Sequence, residues 1–416
     1  MSEAQALPNG WEVVKLSDVG TFKSGSGFPL NAQGKTSGRY PFFKVSDFSN
    51  DGNERSLNRA NHYIDEDDRR RIGARVFPAG TIAFAKIGAA IFLERKRLVD
   101  QESCLDNNMA GYILQDGQVS RDLVLANVQQ FSLGSLVAST ALPAIGSGEL
   151  NSISFPMPSS PHEQHAIAAA LSDADGVVAG LERVIAKKRL IKQGAMQDLL
   201  TARRRLPGFS GVWEVKRLGD HVRFLKNGTH SRAQLSEHGP VKNLHYGDIH
   251  GALSIFLSPA TKPMPTLDSV SAGRLDRLAA GDLVFVDASE DLAGVGTSVE
   301  ITDLGSTEVV SGLHTIAARF DKSVLVDGFK AFLQFMPAFR SHLCQLAAGT
   351  KVLATNRSHI ASAEIPLPRP DEQQAIAAVL SDMDSEIQTL ESRLAKARAV
   401  KEGMMQNLLT GRVRLV

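Results

Sequence analysis

Few groups of residues in this sequence have the types and the spacing that catalysis would need. Gly34, Lys35 and Thr36 have the order that ends a phosphate-binding loop, in which backbone N–H groups hold the phosphate. Such a loop also needs a glycine five positions before Gly34, and this chain has Pro29 there, which carries no N–H. We therefore predict that this segment binds no nucleotide.

Two sets of histidines have side chains that could bind a metal ion. His162 and His165 are arranged like the paired histidines of zinc-protease helices, but they are three positions apart, whereas that motif needs four. The second set consists of His238, His245 and His250 together with Asp248. It contains no cysteine, and histidines scattered over a surface loop explain it better than a metal site does. The sequence also lacks the Asn-Pro-Pro-aromatic and Asp-Pro-Pro-aromatic motifs of adenine methyltransferases. We predict no catalytic residue, no metal and no cofactor.

The composition is that of an ordinary soluble protein with two or three domains. The chain has 416 residues, 43% of them hydrophobic, and a formal net charge of +1, which by itself gives no support for nucleic-acid binding. Cys104 and Cys344 are the only cysteines and lie far apart, which favours a reducing cytoplasm over a disulfide framework. We see no signal peptide and no apolar run of about 18 residues, so we predict a cytoplasmic protein without a membrane span.

A stretch of 46 residues occurs twice in the chain. Positions 161–206 and 370–415 align without a gap at an offset of 209, and 26 of the 46 aligned positions are identical. Each copy opens with the pattern P-x-E-Q-x-A-I-A-A and closes with Leu-Leu-Thr-x-Arg. A proline followed by acidic residues is typical of a helix start, and forty residues of helix would be roughly 60 Å long. The duplication therefore predicts two long helices.

Both copies carry an apolar seam whose residues recur in steps of four and three. This spacing puts a narrow stripe along a helix, the pattern by which two helices supercoil around each other. The seam residues that we assign to the helix pair, or with equal weight to the docking of a partner, are Ile167, Leu171, Val178, Leu181, Ile185, Leu199, Ile376, Leu380, Ile387, Leu390, Leu394 and Leu408. Lys192 and Lys401 occupy equivalent seam positions. We expect the packing to loosen there, or a partner to enter.

The duplication extends, with more divergence, to the segments between the helices. Residues 10–19 are echoed by residues 212–222, with Trp11 matching Trp213, and a proline-rich approach precedes each helix. Short β-rich runs bounded by glycine or proline predict strands in a common order. These runs are 40–48, 75–88 and 106–114 in the first half, and 240–250, 277–289 and 311–320 in the second. A shorter helix is predicted in each half, around 122–139 and 328–348.

The P-x-E-Q helix start, the Leu-Leu-Thr-x-Arg helix end and the Trp-Glu-Val opening, each present twice, resemble the specificity subunit of type I restriction-modification systems. The resemblance covers the whole chain. It implies an α+β fold class, with two mixed α/β target recognition domains joined by two long antiparallel spacer helices in a coiled coil, as a pseudo-two-fold internal repeat. The expected domains are 1–160 and 207–369 for target recognition, and 161–206 and 370–416 for the spacers.

The same resemblance implies what the chain binds. Each recognition domain would read one half of an asymmetric, split site in double-stranded DNA, and the spacers would dock two methyltransferase subunits, with restriction and motor subunits in the full complex. The chain itself would be non-catalytic. Two alternatives belong to other classes: a coiled-coil scaffold whose globular domains bind protein partners, and an enzyme with its own cryptic site. A steep dependence of DNA affinity on salt would distinguish a DNA-binding specificity subunit from the protein-binding scaffold.

Polar and basic loops in both halves have the chemistry that base edges and phosphates require. Arg and Lys can bond guanine, Asn and Gln can pair with adenine, and phosphate contacts position a domain without reading sequence. In the first domain the candidates are Lys23, Ser24, Lys35, Arg39, Lys44 and Lys86. In the second domain they are Lys226, Asn227, Thr229, His230, Arg232, Lys242, Asn243, His245, Tyr246, Lys351, Asn356 and Arg357.

Overall fold

The computed structural model describes residues 7–54, 56–115, 119–137, 143–252, 254–347, 349 and 352–416. The chain divides into two compact units. The first comprises the residues up to Glu182 together with Ser392–Val416, and the second comprises Arg183–Glu391. Both divisions fall within the duplicated stretch, and they fall at equivalent positions, because Glu182 and Glu391 are related by the offset of 209.

Short strands and helices make up the first unit. Its strands are β1 (Trp11–Lys15), β2 (Gly20–Ser24), β3 (Tyr40–Phe43), β4 (Ser56–Leu57), β5 (Tyr63–Ile64), β6 (Val76–Phe77), β7 (Ile82–Ala85), β8 (Lys96–Val99), β9 (Ser103–Leu105), β10 (Met109–Leu114) and β11 (Ser154–Pro158). Its helices are α1 (Leu16–Val19), α2 (Glu66–Ile72), α3 (Arg121–Gln130), α4 (Ser147–Ser152) and the first part of α5 (Pro161–Leu199). β1 and β11 form a two-stranded ribbon, and β11 leads into α5.

Two larger sheets pack against each other in this unit. Their strand orders are β2-β10-β7-β8-β4 and β5-β3-β9-β6. Along β7, Ile82 and Phe84 face a core that includes α3 and Trp11. Ala83, between them, faces a core that contains Phe43 of the other sheet. Successive side chains point to opposite faces of a strand, and both faces of this sheet are covered, so every residue of β7 is buried.

The second unit has elements of the same kinds. Its strands are β12 (Glu214–Arg217), β13 (Val222–Phe224), β14 (Val241–Leu244), β15 (Phe256–Leu257), β16 (Thr266–Leu267), β17 (Leu283–Val286), β18 (Ala288–Ser289), β19 (Ser298–Ile301), β20 (Glu308–Ser311), β21 (Thr315–Phe320), β22 (Leu353–Ala354) and β23 (Glu364–Leu367). Its helices are α6 (Tyr246–His250), α7 (Ser269–Ala272), α8 (Pro337–Leu346), α9 (Arg357–Ala361) and the first part of α10 (Pro370–Leu408).

The strand order of the second unit matches that of the first. Its five-stranded sheet runs β13-β21-β17-β19-β15, and its last two strands pair in parallel, as β8 and β4 do. β12 pairs with β23 as β1 pairs with β11. β14 pairs antiparallel with β16 and parallel with β20, as β3 pairs with β5 and β9. All six predicted strand segments contain strands, in the corresponding order that the sequence indicates.

The helices are shorter than predicted. The helix expected around 122–139 is α3, which ends at Gln130, and the helix expected around 328–348 is a 3-10 helix, Lys330–Phe335, followed by α8. Pro337 begins α8, because proline has no N–H to continue the preceding turn. The long helices end at Leu199 and Leu408, and the last residues of both duplicated stretches lie beyond them. No helix among the described residues is apolar over a length that would cross a bilayer.

Each unit has a core that contains the start of one long helix and the end of the other. In the first unit Ile167 and Leu171 of α5 share a core with Leu408 of α10 and with Trp11. In the second unit the corresponding residues are Ile376, Leu380, Leu199 and Trp213. These seam residues are buried in the cores of the two units, so they offer no surface to a partner. The remaining seam residues are buried or half-buried: Val178, Leu181, Ile185, Ile387, Leu390 and Leu394.

In each unit the repeated helix start and the Trp-Glu-Val opening meet an arginine that lies two residues beyond the Leu-Leu-Thr-x-Arg motif. In the first unit, Arg414 forms two hydrogen bonds with Glu163 and lies over the ring of Trp11, with the guanidinium carbon 5.8 Å from the ring centroid. In the second unit, Arg205 forms the same bonds with Glu372 and lies 5.7 Å from the ring centroid of Trp213. The helix start, the helix end and the opening segment are therefore joined by one Trp-Glu-Arg cluster in each unit.

The glutamine of the P-x-E-Q motif has a structural role as well. Gln164 donates to the carbonyl of Pro158 at 2.9 Å and accepts from the N–H of Ser120, at the N-cap of α3, at 2.9 Å. Gln373 donates to the carbonyl of Pro368 at 2.9 Å and accepts from the N–H of Val326 at 3.0 Å. Both glutamines therefore fix the start of a long helix to the extended segment before it and to the globular part.

Ion pairs join α5 and α10 along their lengths. In the first unit Asp175 pairs with Lys401 and Glu182 with Arg398. In the second unit the equivalent residues pair, Asp384 with Lys192 and Glu391 with Arg189. Within each unit the residue number rises on one helix as it falls on the other, so the two segments run antiparallel. Lys192 and Lys401 thus form cross-helix ion pairs.

Candidate nucleic-acid interface

A polar surface lies at one end of the five-stranded sheet of the first unit. β2 and β7 flank β10 and run antiparallel to it, so β2 and β7 end where β10 begins. Lys86 follows β7, and its Nζ donates to Oγ of Ser24, the last residue of β2, at 2.8 Å. Arg75 donates from Nη1 to the carbonyl of Ser24 at 2.7 Å. We call Lys23, Ser24, Arg75, Lys86 and Asn108 the first polar edge.

The other three candidates of this unit lie in the loops around β3 and α2. Lys44 follows β3, and its Nζ donates to Oε1 of Gln33 at 3.3 Å. Arg39 lies over the ring of its neighbour Tyr40. Lys35 pairs with Asp65 at 2.9 Å and with Asp68 at 2.6 Å. The hydrogen bond from Lys35, together with one from Arg71, lowers the pKa of Asp68 to about 2. Lys35 is therefore already neutralised within the unit.

The equivalent end of the second five-stranded sheet has different side chains. Arg357, the first residue of α9, donates from Nη2 to the carbonyl of Leu225 at 2.8 Å and to Oδ1 of Asn227 at 2.9 Å. Asn356 caps α9 by accepting from the N–H of His359 at 3.0 Å. Lys226 is exposed beside them. We call Lys226, Asn227, Asp287, His314 and Arg357 the second polar edge.

A cleft of about 760 Å³ opens beside the second polar edge. We call it the histidine cleft, and its lining includes Tyr246, His250, Ser289, Asp291, His314 and Val352. The rings of His250 and His314 meet the Tyr246 ring edge to face, with centroids 6.3 and 5.6 Å away. His314 Nδ1 lies 3.1 Å from a carboxylate oxygen of Asp287. Among the described residues, no three His, Cys, Asp or Glu side chains are grouped so that they could hold a metal ion.

Three of the predicted DNA-contacting residues have side chains that are bonded or buried within the unit. Lys242 donates to the carbonyls of Pro259, at 2.6 Å, and Lys262, at 3.1 Å, and so holds a loop. Asn243 is fully buried. His245 is buried, it caps α6, and burial lowers its pKa. Because their polar groups are bonded or covered within the unit, these residues are wrong as candidates for direct contact with DNA.

The remaining candidates that the structure describes lie in the loop after β13 and at the start of α6. Thr229 is exposed and His230 is half-buried. Arg232 is exposed, with Nη1 3.6 Å from Oδ1 of Asp248. Tyr246 is 39% exposed at the mouth of the histidine cleft. Lys351 lies outside the described residues.

The strand register identifies equivalent positions in the two units. Ala83 and Val284 pair with Gly111 and Ala317 respectively, which aligns β7 with β17 and β10 with β21. Lys86 of the first unit is therefore equivalent to Asp287 of the second, and Asn108 is equivalent to His314. Lys44 and His245 are equivalent as well, because each backbone N–H donates to the aspartate three residues later. At these two positions of one scaffold, the first unit has an amine and an amide, and the second unit has a carboxylate and an imidazole.

Sequence reasoning did not select Arg75, Asp287 or His314. Asp287 and His314 are each one residue outside a strand, at the sheet end where Lys86 was selected. Aligning the strand runs of the two halves residue by residue would have placed Asp287 opposite Lys86. No local pattern marks Arg75, whose position depends on its backbone contact with Ser26, 49 residues away.

Residues 8–188 match the family model of the type I restriction modification DNA specificity domain. Over its whole length the chain is also similar to the specificity subunit of the type I restriction enzyme MjaVIII from Methanocaldococcus jannaschii, with 22% identity over 429 residues, covering 98% of this chain and 94% of that protein. The domain match and the full-length similarity agree: the proteins that this chain resembles are the specificity subunits of type I restriction-modification systems. These are the non-catalytic subunits that recognise the DNA sequence.

Solved structures show the same fold. The type I specificity subunit from M. genitalium superposes with a TM-score of 0.59 at 12% identity and covers 98% of both chains. The HsdS subunit from Thermoanaerobacter tengcongensis superposes with a TM-score of 0.50 at 16% identity, covering 99% of this chain and all of that one.

Proposed function

We propose that this chain reads an asymmetric, bipartite site in double-stranded DNA, with one half-site for each unit. The observation that carries the proposal is the matched topology of the two units combined with unlike side chains at equivalent sheet ends. Lys86 and Asn108 occupy positions held by Asp287 and His314 in the other unit. Lysine amines donate to guanine or to phosphate, whereas carboxylates accept from cytosine amino groups. Two such surfaces favour different bases, so the site would be asymmetric.

We further propose that α5 and α10 form an antiparallel coiled-coil spacer that sets the gap between the half-sites. The support is the set of repeated ion pairs and the internal repeat in the sequence. The boundary between the units falls after Glu182 in one helix and after Glu391 in the other. A gap that depends on helix length would change when both helices are lengthened there.

Insertion of four residues after both Glu182 and Glu391 tests the spacer. Each insertion adds about one helical turn, or about 6 Å, which corresponds to roughly two base pairs of duplex. Co-expression with the methyltransferase subunits and methylome sequencing should show both half-sites unchanged and the gap longer by about two base pairs. A four-residue insertion in the exposed turn between Asp51 and Gly52 is the control and should change neither. Altered half-sites with the original gap, or an undivided site in the parent chain, would contradict the proposal.

Docking of methyltransferase subunits is proposed on the outer surface of the long helices. Leu190 and Ile191 of α5 are 69% and 46% exposed in the second unit, and Val177 of α5 and Val400 of α10 are exposed in the first. Exposed apolar residues on a helix are typical of an interface. The double variant Leu190→Asp and Ile191→Asp should lose co-purification of the methyltransferase. Leu30→Asp, at an exposed leucine away from the helices, should retain it.

A further inference from the structure

The histidine cleft has a combination of features that the fold itself does not require. His314 is exposed, and its backbone φ of 57° lies in the left-handed region, which an L-residue with a side chain adopts at a cost. Glycine would adopt this conformation without that cost. The imidazole is nevertheless present, and it is held on two sides, by the Asp287 carboxylate and by the edge of the Tyr246 ring.

The contact with Asp287 determines what His314 offers to a ligand. A carboxylate only accepts hydrogen bonds, so Nδ1 of His314 must carry the proton of their 3.1 Å contact. In the neutral imidazole the other nitrogen, Nε2, is then an acceptor. Asp287 therefore fixes both the tautomer and the orientation of the ring.

Two further acidic residues in the lining of the cleft accept hydrogen bonds. Glu290 and Asp291 are exposed in its lining and contribute carboxylates. Carboxylates repel phosphate, so this surface is suited to base edges. Cations suited to phosphate, Lys226 and Arg357, belong to the adjacent second polar edge. The exocyclic amino groups of cytosine and adenine are the donors that bases present in the major groove.

We propose that His314, oriented by Asp287, is a specificity-determining residue of the second unit and selects a base with an exocyclic amino group, cytosine or adenine, in the second half-site. The first unit has Lys86 and Asn108 at the equivalent positions, and Lys86 would favour guanine or phosphate there. This inference rests on the proposed function, because it assumes that each unit reads one half-site.

The test uses the chain in complex with its methyltransferase subunits and a duplex DNA library with randomised positions. Sequencing of the bound fraction gives the base preference at every position. His314→Gly and Asp287→Asn should reduce the preference at one or two adjacent positions of one half-site by roughly tenfold. The other half-site should not change. Asn108→Gly, at the equivalent position of the first unit, is the matched control and should leave the second half-site intact.

Thermal unfolding separates recognition from a structural role. His314→Gly removes the left-handed strain, so its Tm should equal or exceed that of the parent chain while base preference falls. A Tm clearly below the parent value with unchanged base preference would overturn the inference. The inference would also be overturned if His314→Gly and Asp287→Asn left the bipartite motif unaltered, or if they altered only the half-site that Asn108→Gly alters. Neither outcome would contradict the proposed function. Selection of no motif, or of an undivided one, by the parent complex would contradict the proposed function itself.

Discussion

Glu163 and Arg414 lie 251 positions apart in the sequence and are joined by two hydrogen bonds, of 2.5 and 2.7 Å. The carboxylate is 1% exposed, and the guanidinium is 30% exposed. Together with Trp11 they fix the start of α5 to the end of α10. Glu372, Arg205 and Trp213 repeat the arrangement in the second unit.

We expect Glu163→Gln to lower the free energy of unfolding by about 2 to 3 kcal/mol, because it removes a buried charge-assisted pair. Urea denaturation measures the change. Glu182→Gln is the matched control on the same helix, since its pair with Arg398 is exposed on both sides and should contribute less than about 1 kcal/mol. Equal effects of the two substitutions would contradict the role of burial.

The stability of the first unit should fall in acid partly through Glu94. Burial opposes ionisation of this carboxyl, but hydrogen bonds from Lys96 and from the N–H groups of Gly134 and Leu133 outweigh it and lower its pKa from 4.5 to about 2. Because the pKa is lower in the folded state, the ionised carboxyl stabilises the fold at any pH above the pKa of the unfolded state. This contribution is lost as the pH falls from about 4.5 towards 2. Glu94→Gln should flatten the pH dependence of the unfolding free energy in that range. An unchanged slope in the variant would exclude this contribution.

Ala202→Gly should stabilise the protein. Ala202 and Gly411 occupy equivalent positions after the two long helices, with φ of 58° and 72°. An alanine in the left-handed region costs about 1 to 2 kcal/mol, and the added freedom of glycine in the unfolded chain offsets part of the gain, so we expect about 0.5 to 1 kcal/mol. Gly411→Ala is the reciprocal control and should destabilise, because its Cβ would also lie 2.7 Å from Pro8. Thermal unfolding of both variants checks the signs.

Replacing Lys192 and Lys401 by leucine should leave the bases of both half-sites unchanged. Each lysine pairs with an aspartate of the opposite helix, Asp384 or Asp175, and the polar edges lie elsewhere in the units. The pairs are partly exposed, so we expect a change in stability of less than about 1 kcal/mol. Methylome sequencing identifies the half-sites. A change in their bases would contradict the prediction that these lysines take no part in base recognition.

DNA affinity should depend steeply on salt and should respond to Lys86 but not to Lys35. If Lys86 contacts a phosphate, Lys86→Gln should reduce the slope of log affinity against log salt by about 1. Lys35→Gln is the control, because Lys35 is already paired with Asp65 and Asp68. Titration of a target duplex at several salt concentrations measures this slope for the two variants and for the parent chain. A flat salt dependence in the parent chain would favour the protein-binding scaffold.

The sequence was sufficient for the two long helices and for the order of the six predicted strand segments, because both depend on local patterns of apolar residues, glycine and proline. It could not distinguish a loop lysine that meets DNA from one that holds its own loop, since Lys242 bonds carbonyls that lie 17 and 20 residues away. It also gave equal weight to helix pairing and partner docking for Ile167 and Ile376, which are buried in the cores of the two units, because periodicity alone does not show which surface a seam residue packs against. Trp, Glu and Arg of the repeated motifs gave no local sign of meeting.

The Trp-Glu-Arg clusters also bear on the connectivity of the chain. In the second unit Arg205 donates to the carbonyl of Gly211, which the covalent chain brings back to it within six residues. In the first unit Arg414 donates to the carbonyl of Asn9, the equivalent atom, although 405 residues of chain separate the two. The arginine and the carbonyl that it bonds are therefore joined by a short peptide in the second unit. In the first unit they are far apart along the chain and meet through the arginine side chain. In the first unit, hydrogen bonding thus holds Asn9 and Arg414 at the positions that six residues of peptide connect in the second unit.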